Sequence, residues 1–247
     1  MGHFNMKVLI VHAHPEPQSF TASMKRLAME TLQVQGHEVM LSDLYAMHWN
    51  PVASAADFGV RQNPDYLVYA LEQRESVAAG QIAPDIAAEL DKLLSCDLVI
   101  FSFPLYWCSM PAIMKGWLDR VLVSGKIYGG LRFYDRGGMR GKRALLAYTC
   151  GGRDFMFGEH GIHGEMDIML RHVLRGTLGY AGFEVLPSFV AFHVPYVAPG
   201  EREAILERYG DYLTKLEELE PLSFPTLDDF DAEMRPLASH PLVAEQD

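Results

Sequence analysis

Residues 97–103 have the sequence DLVIFSF, and residues 7–13 have the sequence KVLIVHA. Both segments are short apolar runs that are rich in β-branched or aromatic residues. Because apolar and polar residues do not alternate in them, each is predicted to be a strand that is covered on both faces. Such strands are typical of a parallel sheet that has helices on both sides.

Strand and helix patterns alternate along the rest of the chain. Further strands are predicted at residues 38–43, 142–149 and 184–192, and helices at residues 20–35, 84–95, 111–123, 165–178 and 202–218. Residues 44–81 lack clean periodicity and contain two Asn-Pro breakers, so an irregular excursion is predicted there. Five strands interleaved with helices predict a doubly wound α/β sheet in the order 2-1-3-4-5.

The domain organisation is predicted to be simple. The chain of 247 residues shows no internal repeat and no low-complexity linker, which favours one domain over residues 7–220. Residues 221–247 are acidic and interrupted by prolines, so they are predicted to form an extended C-terminal tail. Residues 1–5 precede a second Met and are interpreted as a cloning-tag remnant or an alternative start.

The composition excludes several classes of function. The chain has 32 acidic against 21 basic residues and a formal net charge of -11, which disfavours nucleic acids and anionic lipid surfaces as partners. Its apolar runs are too short to cross a bilayer. Three cysteines cannot all pair, and they show no CxxC spacing. We therefore predict a cytoplasmic protein that acts on small molecules and does not insert into membranes.

The loop after the first predicted strand, residues 12–20, has the sequence HAHPEPQSF and lacks the glycines of the common nucleotide-binding loops. It places the imidazole of His14 and the hydroxyl of Ser19 at the start of a helix. Free backbone N–H groups and the helix dipole favour a phosphate or diphosphate there. In the alternative interpretation, Ser19 only caps the helix and His14 is a surface turn residue.

The loop after the third predicted strand is unusually aromatic for a connection. Residues 103–111 have the sequence FPLYWCSMP, in which two prolines flank the aromatic side chains. A flat ligand such as an isoalloxazine ring needs an apolar wall of this kind. In the alternative interpretation, these aromatic side chains pack in the core.

The segment after the fourth predicted strand adds polar groups to this site. Residues 149–152, TCGG, can present backbone N–H groups to a flavin. A histidine side chain is the usual proton donor and acceptor in proteins, so His163 could stabilise negative charge on a reduced flavin or protonate a quinol oxygen. A structural role for His163 is the alternative. His160 and His163 lack further ligands in the sequence, so no metal site is predicted.

These loops, together with residues 42–47 (SDLYAM), 111–117 (PAIMKGW) and 161–164 (GIHG), resemble the NAD(P)H:quinone oxidoreductase (DT-diaphorase) family. The resemblance extends from about Lys7 to Met234. It implies a flavodoxin-like fold, with FAD favoured over FMN as the cofactor and NADH or NADPH as the electron donor. It also implies a homodimer with a shared active site and two-electron reduction of quinones by a ping-pong mechanism.

The resemblance also implies roles for individual residues. Contacts to FAD are implied for His14, Ser19, Phe20, Pro104, Leu105, Tyr106, Trp107, Thr149, Cys150, Gly151, Gly152 and Arg202. The implied substrate site consists of Trp107, Cys108, Tyr128, Phe157, His163, Tyr180 and Phe230, of which Tyr128, Tyr180 and Phe230 would come from the partner subunit. The implied catalytic positions are His163, Gly151 and Phe157.

Three positions depart from the family pattern. Phe157 stands where the family has a tyrosine that partners the histidine, so the hydroxyl of that proton relay is missing. Cys108 replaces a phenylalanine of the mammalian enzymes, and Gly130 replaces an aromatic residue of the substrate lid. A wider pocket and a different acceptor preference are therefore expected. The shorter tail leaves the choice of nicotinamide donor open.

Two other functions remain open at this level. One is an FMN-dependent reductase of flavins, azo compounds or nitro compounds with the same fold. The other is a redox-sensing accessory subunit of an ion-efflux system. The identity of the bound flavin would test the first alternative, and quinone turnover would test the second.

Overall fold

The computed structural model describes residues 5–237. Its strands are β1 (Lys7–His12), β2 (Glu38–Asp43), β3 (Leu98–Pro104), β4 (Arg143–Thr149), β5 (Glu184–Val185) and β6 (Phe189–Ala191). They pair in parallel in the order β2-β1-β3-β4-β5, and β6 also pairs with β4. The predicted doubly wound parallel sheet and its strand order are confirmed.

The fifth strand position differs from the prediction of one strand over residues 184–192. It is filled by two short strands, β5 and β6, which are separated by residues 186–188. Pro187 lies in this gap and has no N–H to donate to a strand ladder. β5 therefore pairs with the start of β4, whereas β6 pairs with its end at Ala147–Thr149.

The helices are α1 (Phe20–Val34), α2 (Tyr69–Ala79), α3 (Pro84–Ser95), α4 (Ala112–Val121), α5 (Met166–Met169), α6 (Arg171–Val173) and α7 (Pro199–Thr214). A π-helical segment, Leu174–Gly179, follows α6 directly, so the helix predicted over residues 165–178 is present but broken. Short 3-10 turns occupy Ala55–Asp57, Tyr134–Arg136, Asp154–Met156, Leu216–Glu218 and Leu227–Asp229. The other predicted helices are confirmed within a few residues at each end.

The excursion predicted to be irregular contains α2, so that prediction is wrong for residues 69–79. α2 buries polar side chains, including those of Glu72 and Gln73, rather than an apolar stripe. Glu72 accepts hydrogen bonds from the N–H groups of Gln62 and Asn63, both at 3.0 Å, and Gln73 accepts one from the N–H of Ser124 at 3.2 Å. Apolar periodicity cannot reveal a helix whose buried face is polar.

The two faces of the sheet build two separate cores. Along β1, Leu9 and Val11 belong to one core and Val8 and Ile10 to the other. Side chains from α3 and α4 complete the first core, and side chains from α1 and α7 complete the second. Because successive strand residues point to opposite faces, both faces must be apolar, which accounts for the unbroken apolar runs.

Residues 221–237 continue beyond the sheet and contact β5 and the turn Tyr134–Arg136. The N–H of Leu222 donates to the carbonyl of Val185 at 2.8 Å, and Arg136 and Asp228 form an ion pair at 3.0 Å. The division into a domain of residues 7–220 and a tail of residues 221–247 stays a prediction. Residues 238–247 of that tail and residues 1–4 of the predicted tag remnant lie outside the described residues.

Candidate active site

The candidate site lies at the carboxyl ends of β1, β3 and β4. Pro104 is paired with Thr149 at the ends of β3 and β4, and the N–H of Leu105 donates to the carbonyl of Thr149 at 2.8 Å. The N–H of Ala13 donates to the carbonyl of Ser102 at 2.9 Å. The three predicted loops therefore meet where the strand order reverses, which is the usual ligand site of doubly wound sheets.

The first loop places its polar groups at the start of α1. Ser19 is the N-cap, and its Oγ accepts from the N–H of Ala22 at 3.1 Å, as the alternative interpretation states. Its own O–H still has a proton to donate to an anion. Nδ1 of His14 accepts from the N–H of Glu16 at 2.9 Å, and burial lowers the pKa of His14. The neutral ring of His14 therefore carries its proton on Nε2.

Other contacts join this loop to the sheet. Phe20 is half-buried and packs against the core on the α1 side. The hydroxyls of Thr21 and Thr149 share a hydrogen bond at 3.0 Å, which ties the start of α1 to the end of β4. This bond holds the first loop beside the third loop.

A buried histidine at the end of β1, His12, is not among the site residues predicted from the sequence. Nδ1 of His12 and Oγ of Ser102 share a hydrogen bond at 3.0 Å. Burial, followed by the positive charge of Lys25, lowers the pKa of His12 to about 4. His12 is therefore neutral at neutral pH. Because His12 lies within an apolar strand run, the sequence pattern indicated only a place in the core.

The second loop forms a tight two-residue turn over Tyr106–Ser109. The N–H of Tyr106 donates to the carbonyl of Ser109 at 2.9 Å, and the N–H of Ser109 donates to the carbonyl of Tyr106 at 3.0 Å. The central residues, Trp107 and Cys108, have φ angles of 49° and 57°. Trp107 is 100% exposed, so core packing does not account for it. The loop presents an open aromatic surface.

The third loop combines a buried base with an open tip. Thr149 and Cys150 are buried, and burial raises the pKa of the Cys150 thiol. Gly151 is exposed, and a Cβ at Gly151 would meet nothing closer than the carbonyl of Val194 at 3.7 Å. A Cβ at Gly152 would lie 2.8 Å from the ring of Phe157, so a side chain there would displace that ring.

Phe157 and His163, two of the implied catalytic positions, are neighbours. Their ring centroids lie 5.0 Å apart with an interplanar angle of 36°. The N–H of His163 donates to the carbonyl of Met156 at 3.0 Å, which closes the intervening loop, and the imidazole is exposed. Since Phe157 also packs on Gly152, the pair lies beside the tip of the third loop.

Tyr128 and Tyr180 form a separate aromatic cluster. Their ring centroids are 6.2 Å apart, and Tyr180 stacks on Phe133 at 5.5 Å. Burial raises the pKa of Tyr128. Both tyrosines line a cavity of about 210 Å³. This cavity shares Lys115, Leu118 and Thr177 with a mostly apolar groove of about 480 Å³, which is also lined by Tyr106 and Trp107.

The two remaining implied residues lie farther along the chain. Arg202 is on the first turns of α7, and its Nη2 donates to the carbonyl of Pro195 at 2.9 Å. Phe230 lies in the tail and forms a bridge with Pro236.

Two further observations concern metal ligands and membrane-spanning helices. Among residues 5–237, no group of three or more His, Cys, Asp or Glu side chains could hold a metal ion. Within the same residues, every helix is too short or too polar to cross a membrane.

Comparison with known proteins relates the whole domain to one group. A family model for the flavodoxin-like fold matches residues 6–215. The chain is 40% identical over 226 residues to NAD(P)H dehydrogenase [quinone] 1 of Rattus norvegicus, covering 91% of this chain and 82% of that protein. It is 42% identical over 217 residues to ribosyldihydronicotinamide dehydrogenase [quinone] of Mus musculus, covering 87% of this chain and 94% of that one. A solved Klebsiella pneumoniae protein, proposed to be a quinone reductase, superposes with a TM-score of 0.90 at 38% identity and 94% coverage of both chains.

Proposed function

The chain belongs to the NAD(P)H:quinone oxidoreductase family of the flavodoxin-like fold, and on that premise we propose that it is an NAD(P)H dehydrogenase that reduces quinones through bound FAD. The observation that carries the proposal is the pairing of Pro104 with Thr149. This pairing sets an exposed aromatic turn beside a glycine-rich loop. An aromatic wall next to free backbone donors suits an isoalloxazine ring.

The residues of the site fit the parts of FAD. The start of α1, with His14, Ser19 and Phe20, would receive the diphosphate and the adenosine half, because helix N-termini favour anions. Residues 104–107 and 149–152 would hold the ring system, and Arg202 would reach toward the adenine. FAD, when bound, would take a hydride from NADH or NADPH and deliver two electrons to the quinone. Donor and acceptor would use the same open face in turn, which is a ping-pong scheme.

His163 is the proposed proton-handling residue. Its exposed imidazole lies against Phe157, which cannot donate or accept a proton. His163 would therefore stabilise developing negative charge and supply a proton to the quinone oxygen without a tyrosine partner. Gly151, at the open tip of the third loop, would contribute its backbone N–H to the same region.

The acceptor site is proposed to be completed by a second copy of the chain. Trp107, Cys108, Phe157 and His163 would come from one subunit, and Tyr128, Tyr180 and Phe230 from its partner. The fully exposed Trp107 and the mostly apolar groove beside it support a shared site. All three cysteines lie within residues 5–237 and are free, which agrees with a cytoplasmic location.

The test of this proposal begins with the purified protein. We expect a yellow protein that releases FAD on heating, is bleached by NADH or NADPH, and regains its colour when a quinone is added. Release of FMN would instead support a flavin, azo or nitro reductase. Tight flavin binding without turnover of any quinone in a broad panel would support the accessory subunit. A colourless protein that cannot be loaded with FAD would refute the proposal.

The replacement Phe157→Tyr is expected to alter proton handling. A tyrosine ring in this position would carry its hydroxyl beside His163 and restore a two-membered relay. Because one hydrogen bond contributes about 1 kcal/mol, we expect a change of about fivefold in the rate of flavin reduction, together with an altered pH profile. Stopped-flow reduction by the nicotinamide donor across a pH series measures both quantities.

The matched control for this replacement is Phe155→Tyr. Phe155 lies on the 3-10 turn that ends directly before Phe157 and is 71% exposed, so a hydroxyl there would point into water. We expect its reduction traces to match those of the unmodified protein. If the traces of Phe157→Tyr also match at every pH, the missing hydroxyl has no effect on flavin reduction.

A further inference from the structure

The turn over Tyr106–Ser109 is held in a conformation that its residues do not favour. Turns with positive φ at both central positions normally use Asn-Gly or similar pairs, because a Cβ is unfavourable there. In this chain the central residues are Trp107 and Cys108, with φ angles of 49° and 57°. Such a conformation persists only where surrounding contacts impose it.

One contact from a distant segment reaches this turn. Oγ of Ser109 and Nε2 of His172 share a hydrogen bond at 3.0 Å, although 63 residues separate them in the chain. His172 lies on α6, and its carbonyl accepts from Oγ1 of Thr177 at 3.1 Å, within the π-helical segment. π-helical segments often occur at functional sites. The turn is thereby joined to the helical segment that begins with α6.

The same residues line the groove of about 480 Å³. Tyr106 and Trp107 of the turn line it, and so do His172, Val173 and Thr177 of the helical segment. On the proposed function, this groove adjoins the flavin wall and receives part of an aromatic acceptor. A change in the position of Trp107 would therefore change the fit of the acceptor.

We propose that His172 is a positioning residue for the quinone site: through Ser109 it holds the strained turn, so that Trp107 stands at the edge of the acceptor groove. This proposal rests on the proposed function. The hydrogen bond joins the turn to α6, so its loss releases the turn without removing any group that contacts the reacting atoms. The expected effect is on acceptor binding rather than on the chemical step.

Steady-state kinetics of the holoenzyme with a quinone acceptor test this role. We expect His172→Ala and Ser109→Ala each to raise the KM for the quinone about fivefold and to change kcat by less than about twofold. The double variant should have the same KM as either single variant, because both changes remove the same hydrogen bond. His172→Gln should restore the KM, because the end of a glutamine side chain can occupy the position of Nε2. His172→Asn should not restore the KM, because the end of its shorter side chain corresponds to the position of Nδ1. Arg171→Ala, on the neighbouring exposed residue of α6, is the control.

A spectroscopic measurement tests the role of His172 independently of quinone turnover. The chain has three tryptophans, of which Trp49 and Trp117 are buried and Trp107 is exposed, so 5-fluorotryptophan labelling should give three ¹⁹F resonances. We assign Trp107 with Trp107→Phe. The Trp107 resonance should move to one common position in His172→Ala, in Ser109→Ala and in the double variant. It should return to its original position in His172→Gln. The resonances of Trp49 and Trp117 should stay in place in all of these variants.

The outcomes that overturn the proposal are specific. An unmoved Trp107 resonance, or shifts that add in the double variant, would show that His172 does not position the turn. A moved resonance with an unchanged KM would show that the turn does not set acceptor affinity. If the unmodified protein reduces no quinone, the proposed function fails, and with it the role in acceptor binding, whereas the ¹⁹F result still decides whether His172 holds the turn.

Discussion

Replacing Arg120 with methionine is expected to lower the free energy of unfolding by about 3–5 kcal/mol. The guanidinium is 3% exposed and pairs with Asp57 at 2.8 Å and with Asp85 at 2.7 Å. Its Nη1 also donates to the carbonyl of Asn50 at 2.9 Å, and the group lies 4.6 Å from the ring centroid of Trp49. Removing the cation would leave the buried carboxylate of Asp57 without its main partner. Urea denaturation followed by circular dichroism measures the loss.

A matched pair of variants separates the buried ion pair from the exposed one. The side chain of Asp85 is 44% exposed, whereas that of Asp57 is 3% exposed. Asp85→Asn should therefore cost no more than about 1 kcal/mol, and Asp57→Asn should cost clearly more. Equal losses for these two variants, or a loss below about 1 kcal/mol for Arg120→Met, would contradict the importance of the buried pair.

The same network should make the fold sensitive to acid. Burial alone would raise the pKa of Asp57, but hydrogen bonds from Arg120, from Tyr69 and from the N–H of Ser54 outweigh burial and hold the pKa below its usual value. The stabilisation is then fully present above the unfolded-state pKa of about 3.9, and it is lost as pH falls through the lower folded-state value. The Asp57→Asn variant should lack the part of the acid sensitivity that comes from the Asp57 carboxylate.

The second large effect is expected for His163→Ala, which should slow flavin reduction by about 100-fold while the protein keeps its flavin. Because Phe157 supplies no hydroxyl, no side chain of that pair would remain to handle a proton. Flavin should stay bound, since residues 104–107 and 149–152 do not depend on the imidazole. Stopped-flow absorbance gives the reduction rate, and the flavin-to-protein absorbance ratio gives the occupancy.

His160→Ala is the control for His163→Ala. His160 is an exposed histidine in the same loop, three residues earlier in the chain. Its replacement should leave both the reduction rate and the flavin content unchanged. A normal rate in His163→Ala would remove this histidine from the mechanism. Loss of flavin from His163→Ala would assign the histidine to binding instead.

Much of the fold could be predicted from local patterns. The runs at residues 7–13 and 97–103 are strands because both of their faces are buried, and Ser19 caps α1 because its hydroxyl satisfies a free N–H. The adjacency of the loops after β1, β3 and β4 follows from the strand order. These features depend on residues that are close in sequence or on general rules of sheet topology.

The features that escaped prediction depend on contacts between distant residues. α2 escaped because its buried side chains are polar and are satisfied by hydrogen bonds from other segments, such as that from the N–H of Ser124 to Gln73. The bond between Ser109 and His172 and the pair of Arg120 with Asp57 each join residues that are 63 positions apart. No local pattern records such partners, because they meet only after the helices have packed on the sheet. The sequence thus predicted which loops meet at the candidate site, whereas tertiary packing decided which side chains hold those loops in place.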